Sequence, residues 1–488
     1  MIQDIFKSPR PFAAKAKTKN IPIILTNIKG LENYLTRNLK NKDEKAQRTL
    51  LKNKLDSNDY RGEKNKGSIG YDADGKVCCV FWGIGKKLSV NDGAMLCDFI
   101  SRNLSKSLAK DTSFALDIMP EFKDYDFNDF CIGWGLAHYQ FTLYKKKVQI
   151  DKPLLVLPKD VDEKLITASL NAIFMLRHLV NIPSNDLGTD ELAAAAKKLA
   201  DQHKAKTQIT KGKKIETDFP MIHAVGKGSP RPPQLVDIRW AKDTKSTKYP
   251  KLTIVGKGLV YDTGGLNLKT GGGMRLMKKD MGGAAHALGL ASMIMDLKLP
   301  VQLRVLLAIA ENSTSGTSFR PGDILQSRKK LTVEIADTDA EGRLCVGDAL
   351  TYACEEKPDL LIDFCTLTGS ARVALGYDIP AFFTNQDSFV EPLRKDSAAI
   401  LDPIWPLPLW QGYDENINSP IADVMNEGSG RGGAIEAALF LQRFIDSTIN
   451  WVHLDCYAWE QNGKAGRPQG GADTGLRAMF DFIRKRYG

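Results

Sequence analysis

The chain lacks the features that would set it outside ordinary globular proteins. No stretch approaches the ~18–20 apolar residues that span a bilayer, and the opening MIQDIFKSPRPFAAKAKTKN has no continuous apolar segment of the kind a secretion signal carries. No membrane partner is expected. The eight cysteines are scattered without a C-x-x-C pair, and several lie in apolar stretches where free thiols behave as small hydrophobes. A reducing compartment, and so a cytoplasmic location, is the expectation. At 488 residues the chain exceeds what one hydrophobic core normally serves, which excludes a single small domain.

A charge excess is also missing from most of the molecule. The formal balance is +10, but residues 1–66 hold 16 Lys and Arg against 7 Asp and Glu, which leaves 52 against 51 elsewhere. A nucleic-acid partner is therefore a reading of the basic N-terminal segment alone, and that segment has no interleaved aromatics.

Several catalytic templates are absent too: there is no H-E-x-x-H, no G-x-S-x-G and no G-x-x-x-x-G-K-[ST]. Gly256 and Gly258 begin a G-x-G-x-x-G, but Tyr261 stands at its last position and DTGG does not open a helix. A dinucleotide site is not expected.

What is present has a clear order. IPIILT, KVCCVFWGI and TSFALDIM read as strands, and the glycines of DFNDFCIGWGLAHYQF argue for close helix packing. From Pro153 the pattern changes: PLLVLPKD reads as a strand, and a helix follows with Asp160 as its N-cap and Pro183 just past its end. Beyond it, KLTIVGKGLV, VQLRVLLAIA, LTVEIAD and DLLIDFCTL alternate with Ala-rich helical segments. The expected architecture is α/β: a smaller N-terminal α/β domain over 1–155, of oligomerisation or regulatory use, and a larger domain over 156–488. In the larger one, a mixed, largely parallel sheet lies between helices, with functional groups at its strand ends.

Charged residues gather around two of those strand ends: Lys257, Asp262, Lys269 and Asp280, then Asp337, Asp339, Glu341 and Arg343 in ADTDAEGRL. Read as extended chain, the last four alternate onto one side. Carboxylates beside apolar strands cost several kcal/mol each unless paired or metal-bound. Four of them (Asp262, Asp280, Asp339, Glu341) match the charge of two divalent cations. Surface ion pairing is the alternative for any one of these residues. The glycines of the region suit tight turns around an ion.

VGKGLVYDTGGLNLKTGGGMRLMKKDMGGAA followed by DTDAEGRL resembles the cytosolic leucine aminopeptidase family, whose octapeptide is usually NTDAEGRL; the likeness spans roughly residues 160–488. The resemblance implies a metalloexopeptidase that removes leucine and other mostly apolar N-terminal residues from short peptides. Its metal ligands would be Lys257, Asp262, Asp280, Asp339 and Glu341, with Asp262 and Glu341 shared between two ions, zinc or manganese, that generate a bridging hydroxide. Lys269 would polarise the scissile carbonyl, and Arg343 would hold a bicarbonate ion. Met277, Thr366, Leu367 and Gly369 would contact the substrate, and the assembly would be a homohexamer.

Two positions depart from the family. Asp337 replaces its usual Asn, and DCYAWE replaces the region D-I-A-G-T-A-W, which puts Tyr457 beside a pocket wall of small residues. Besides the polyanion-binding reading, a non-catalytic relative that keeps the fold is a third reading of the chain.

Overall fold

The computed structural model describes residues 2–6, 8–13, 20–36, 42–104, 112–118, 122–145, 152–243, 248–428 and 430–488. Parts of the basic N-terminal segment, residues 14–19 and 37–41, lie outside them. The chain divides into two compact units, residues 8–170 with 463–468, and residues 1–7 with 171–462 and 469–488.

The first unit holds five strands: β1 (Asn20–Thr26), β2 (Gly67–Tyr71), β3 (Val77–Gly83), β4 (Ser113–Asp117) and β5 (Leu154–Val156). They lie in the order β2-β3-β1-β4-β5, parallel except for β2. The β-branched run of β1 is buried, as both faces of a parallel strand require. Two helices of this unit, Val90–Asn103 and Asn128–Leu136, meet backbone to backbone. A methyl on Gly93 would sit 1.9 Å from the Phe130 carbonyl oxygen, and one on Gly133 would sit 1.8 Å from that of Val90. The glycines expected to permit close helix packing do so.

In the second unit the chain forms β6 (Lys206–Lys211), β7 (Gln234–Ala241), β8 (Lys251–Asp262), β9 (Gln302–Asn312), β10 (Ile324–Gln326), β11 (Thr332–Glu334), β12 (Leu360–Cys365), β13 (Ala381–Thr384), β14 (Trp405–Pro406), β15 (Val424–Met425) and β16 (Trp451–Asp455). The main sheet runs β14-β13-β16-β12-β8-β9-β7-β6. Its centre, β16-β12-β8-β9, is parallel, and the antiparallel pairings fall towards the edges. The expected α/β class, with a largely parallel sheet, is what the chain adopts.

Side chains alternate along β8, and that alternation builds the site. Val255 and Leu259 face a core shared with Leu344 and Val346 of the helix Glu341–Cys354. Lys257 points the same way, so that a methyl on Gly342 of that helix would lie 2.4 Å from its Cε. Gly256 faces oppositely, where a methyl would come within 2.6 Å of Ala284 Cα in the helix Gly282–Asp296. Small residues let both helices close on the strand that carries Lys257.

Two local expectations are corrected. The helix after β5 begins at Glu163, and Asp162 rather than Asp160 caps it by accepting the Leu165 N–H at 3.0 Å. The four charged residues of DTDAEGRL do not share one extended face. Asp337 and Asp339 belong to a turn in which Asp337 Oδ1 accepts the Asp339 N–H at 2.7 Å, whereas Glu341 and Arg343 are on the first turn of a helix. The turn satisfies its own backbone, which an extended strand without a partner could not do.

Candidate metal centre and substrate cavity

Lys257 enters the site from the middle of β8 and Asp262 from its end, where the chain turns through Gly264 and Gly265. Both glycines have positive φ, +86° and +63°, and a methyl on Gly265 would press on Thr338 Oγ1 at 2.9 Å. Asp280 comes from the helical turn Met277–Met281, Asp339 from the turn before the Glu341–Cys354 helix, and Glu341 from that helix's first residue. Glu341 thus stands at the positive end of a helix, where a carboxylate is favoured.

The groups interlock. Lys257 Nζ lies 2.7 Å from Asp280 Oδ2 and 3.1 Å from Glu341 Oε1, and it donates to the Thr366 carbonyl at 3.0 Å. Lys269 Nζ lies 2.8 Å from Asp262 Oδ2 and also contacts Asp339. Asp262 Oδ1 accepts from Asn312 Nδ2 at 2.9 Å and from the Gly264 N–H at 2.8 Å. Thr366 Oγ1 donates to Asp280 Oδ1 at 2.7 Å. Ligand atoms of Asp262, Asp280 and Glu341 all fall within 4.8 Å of one another.

This density of charge shifts its members. Burial, then Asp262, push Glu341 up to about 8, and the same causes push Asp339 up to about 6. Burial works against charge on Lys257, but Asp280, Glu341 and Asp262 together hold it well above the ordinary lysine value. Four carboxylates face two ammonium groups, a deficit of positive charge. Glu341 Oε2 is buried and has no hydrogen-bond partner among the described residues. An orphaned carboxylate oxygen within an all-oxygen set plus one amine is what a divalent cation would satisfy. The residues present fit a metal centre.

A cavity of about 370 Å³ opens beside it. Its lining joins Lys257, Asp262, Lys269, Asp280 and Asp339 to all four residues expected to touch substrate: Met277, Thr366, Leu367 and Gly369. Arg343 is not among the lining residues. It is buried, donates to the Asn426 carbonyl at 2.6 Å and pairs with Glu427 at 2.9 Å, while its Nε has no hydrogen-bond partner among the described residues. Asp337 is not among the lining residues either; its side chain accepts the Asp339 N–H and its backbone N–H is held by Asn426 Oδ1 at 3.2 Å.

Sequence reading missed several contributors. Asn312 and Asn426 are neutral and carry no spacing signal, yet each fixes a turn of the site. Asp455, at the end of WVHLD, accepts from the Leu367 and Thr368 backbone N–H groups at 3.0 and 3.2 Å. Lys279, Arg372 and Tyr377 also line the cavity, together with Tyr457, which the sequence had already put beside the pocket. Burial pushes the Lys279 ammonium down to about 8. A strand position ending at the same sheet edge as β12 was the available signal for Asp455.

A second trio, Asp363, Cys365 and His453, also has the spacing of a cation site. Its carboxylate is already engaged: Asp363 Oδ2 accepts from Trp451 Nε1 at 2.7 Å, and Oδ1 bonds His453 Nδ1 at 2.6 Å. It is a link between β12 and β16 through the Asp363 carboxylate.

A buried acidic cluster with two lysines, at the end of a parallel strand and beside a cavity, defines an α/β enzyme with its site where such sheets carry them. The particular family follows from comparison with known proteins. The chain belongs to the cytosol aminopeptidase family, whose catalytic domain matches residues 174–480. A probable cytosol aminopeptidase of Syntrophotalea carbinolica is 37% identical over 369 residues, covering 72% of this chain and 74% of its own length. One from Chlamydia abortus is 33% identical and covers 90% of this chain and 92% of its own. The crystal structure of the cytosol aminopeptidase from Coxiella burnetii superposes with a TM-score of 0.88 at 39% identity, over 98% of this chain and 99% of that one. The bottromycin maturation enzyme BotP, solved in complex with Mn, gives 0.80 at 25% identity, over 96% and 99%.

Proposed function

We propose that the chain is a dimetal aminopeptidase that releases the N-terminal residue of short peptides. The observation that carries this reading is the convergence of Asp262, Asp280 and Glu341, with Glu341 Oε2 left unpartnered, beside a cavity also lined by Lys269. Lys257, Asp262, Asp280, Asp339 and Glu341 would hold the metals, Asp262 and Glu341 shared between them. Two divalent ions, zinc or manganese, supply a more acidic water and polarisation of the scissile carbonyl.

The chain's own groups do the rest. Lys257 would serve as a ligand in its neutral amine form, which two nearby cations would favour by lowering its proton affinity. Lys269 keeps its charge and holds the carbonyl oxygen of the scissile bond. Arg343, with its unpartnered Nε, is the place for a bicarbonate ion as general base. Met277 and Leu367 offer apolar surface to the N-terminal side chain, leucine or another mostly apolar residue, and Thr366 and Gly369 border its backbone. A cytoplasmic homohexamer that admits only short peptides belongs to the same reading.

The test is metal analysis and an aminoacyl-substrate panel on one preparation, with Lys269→Ala and Glu341→Gln alongside. Two metal equivalents per chain and loss of turnover in both variants are expected. Ordinary turnover in the two variants, or a native mass near 54 kDa for the hexamer, would contradict the respective claims.

A further inference from the structure

The cavity wall beside the acidic cluster carries a further positive charge. Lys279 is only 5% exposed, and although Asp280 acts on it electrostatically, no ion pair or hydrogen bond to its ammonium is found among the described residues. Three other buried cations of this unit are paired directly. Lys257 has Asp280 and Glu341, Arg177 has Asp473 at 2.8 Å, and Arg304 has Asp237 at 2.9 Å. What Lys279 has is an aromatic face, its Nζ 4.5 Å from the centroid of Tyr457. Arg372 lies against the same ring at 5.0 Å and likewise pairs with no carboxylate among the described residues.

Tyr457 is held in place for this. Its hydroxyl accepts from Gln461 Nε2 at 2.7 Å, and its ring packs 4.8 Å from that of Tyr377. Lys279, Arg372, Tyr377 and Tyr457 line the cavity that also contains Met277, Leu367, Asp262, Asp280 and Asp339. An aromatic face stabilises a cation but does not replace an anion, so an ammonium that lines the cavity in this setting can receive a carboxylate.

We propose that the cavity selects peptides whose N-terminal residue is acidic, with the side-chain carboxylate received by Lys279 and Arg372 beside Tyr457. The stem of an aspartate or glutamate lies along Met277 and Leu367, and the carboxylate ends where the cations are. This rests on the aminopeptidase reading and replaces its apolar preference at the N-terminal residue, since an apolar side chain would leave both cations without a carboxylate in hydrogen-bond reach. A carboxylate could also reach them as the C-terminus of a dipeptide, so the two sources are separated experimentally.

The experiment uses the metal-loaded full-length protein and compares Glu-, Gln- and Leu-aminoacyl amides, which carry no terminal carboxylate, with Leu-Gly and Leu-Gly amide. The glutamyl substrate is expected to exceed the glutaminyl one in kcat/KM by about 10- to 100-fold, the worth of a charge-assisted hydrogen bond. In Lys279→Met and Arg372→Gln that ratio falls towards one. Equal rates for the glutamyl and glutaminyl amides overturn the proposal, as does a Lys279-dependent preference for Leu-Gly over its amide without any glutamyl preference. Thermal shift with free glutamate, glutamine and leucine reads the same selectivity without turnover. Glutamate-specific stabilisation that Lys279→Met abolishes supports the proposal even if no substrate is cleaved, a result that would count against the aminopeptidase reading alone. Equal shifts for the three amino acids overturn it.

Discussion

Asp455 Oδ1 accepts the backbone N–H of Leu367 at 3.0 Å, tying the end of β16 to the turn that follows β12. The same carboxylate takes the Thr368 N–H at 3.1 Å and the Thr368 hydroxyl at 2.6 Å on its other oxygen. Leu367, Thr368 and Gly369 line the cavity, as does Asp455, whose hydrogen bonds hold the Leu367 and Thr368 backbone. In Asp455→Asn one acceptor becomes a donor facing Thr368, and the turn shifts. kcat/KM should fall by about 10- to 100-fold, chiefly through KM, with metal content unchanged. A lower melting temperature with KM unaltered would show that the residue only supports the fold.

Gly342 and Gly283 separate damage to the site from damage to the sheet. A methyl on Gly342 would fall 2.5 Å from Lys257 Nζ, the tip of a side chain, whereas one on Gly283 would fall 2.1 Å from the Phe364 carbonyl oxygen, which is backbone of β12. Gly342→Ala should therefore displace the amine and lower metal occupancy and turnover, with a stability loss under about 1–3 kcal/mol. Gly283→Ala pries a helix from the sheet and should cost more than that. Measured denaturation midpoints and metal content in the two variants should change in opposite order of severity; equal metal content in Gly342→Ala and wild type would refute the first half.

How far the sequence reaches can be seen from the same residues. The strands of the catalytic unit were legible because β8, β9 and β12 are apolar on both faces and bounded by helical Ala-rich segments. Lys257, Asp262, Asp280, Asp339 and Glu341 were legible because charge in a glycine-rich, otherwise apolar context has few explanations. Asp455 was not, because one Asp after WVHL has no local signal and acts on a turn 88 positions away. Lys279 was hidden by its neighbours: within MKKD a lysine reads as solvated, and only the tertiary fold buries it against Tyr457. The alternation expected through DTDAEGRL failed because a period of two assumes a strand, and the helix begins at Glu341.

His138 gives the first unit an acid-sensitive element. It is buried and bonds the Pro153 carbonyl at 3.2 Å, and burial, with Lys152 adding to it, pushes its imidazole down to about 4. Below the ordinary histidine value the unfolded chain takes up a proton that the folded one refuses. The stabilisation is complete above about pH 6.5 and is lost as pH falls towards 4, by at most about 3 kcal/mol. His138→Gln keeps a donor for Pro153 without titrating. Its stability relative to wild type, from urea denaturation at pH 7, 5.5 and 4.5, should rise as pH falls; a constant difference would refute the assignment.

Metal removal should expose how the acidic cluster is balanced. Without cations, Lys257 is the group that offsets Asp280 and Glu341, all three at most 4% exposed in their side chains. Lys257→Met leaves two buried carboxylates without that partner, so the chelated variant should be about 3 kcal/mol less stable than chelated wild type. A ligand that binds only the folded state adds about 2.7 kcal/mol at a hundred times its dissociation constant. Manganese or zinc should thus raise the wild-type melting temperature, and Glu341→Gln, which removes the charge of a proposed ligand, should lose most of that rise. If chelation leaves the wild-type melting temperature unchanged while Lys257→Met still lowers it, the cluster is a salt-bridge network held by lysine, and the metal-centre assignment fails.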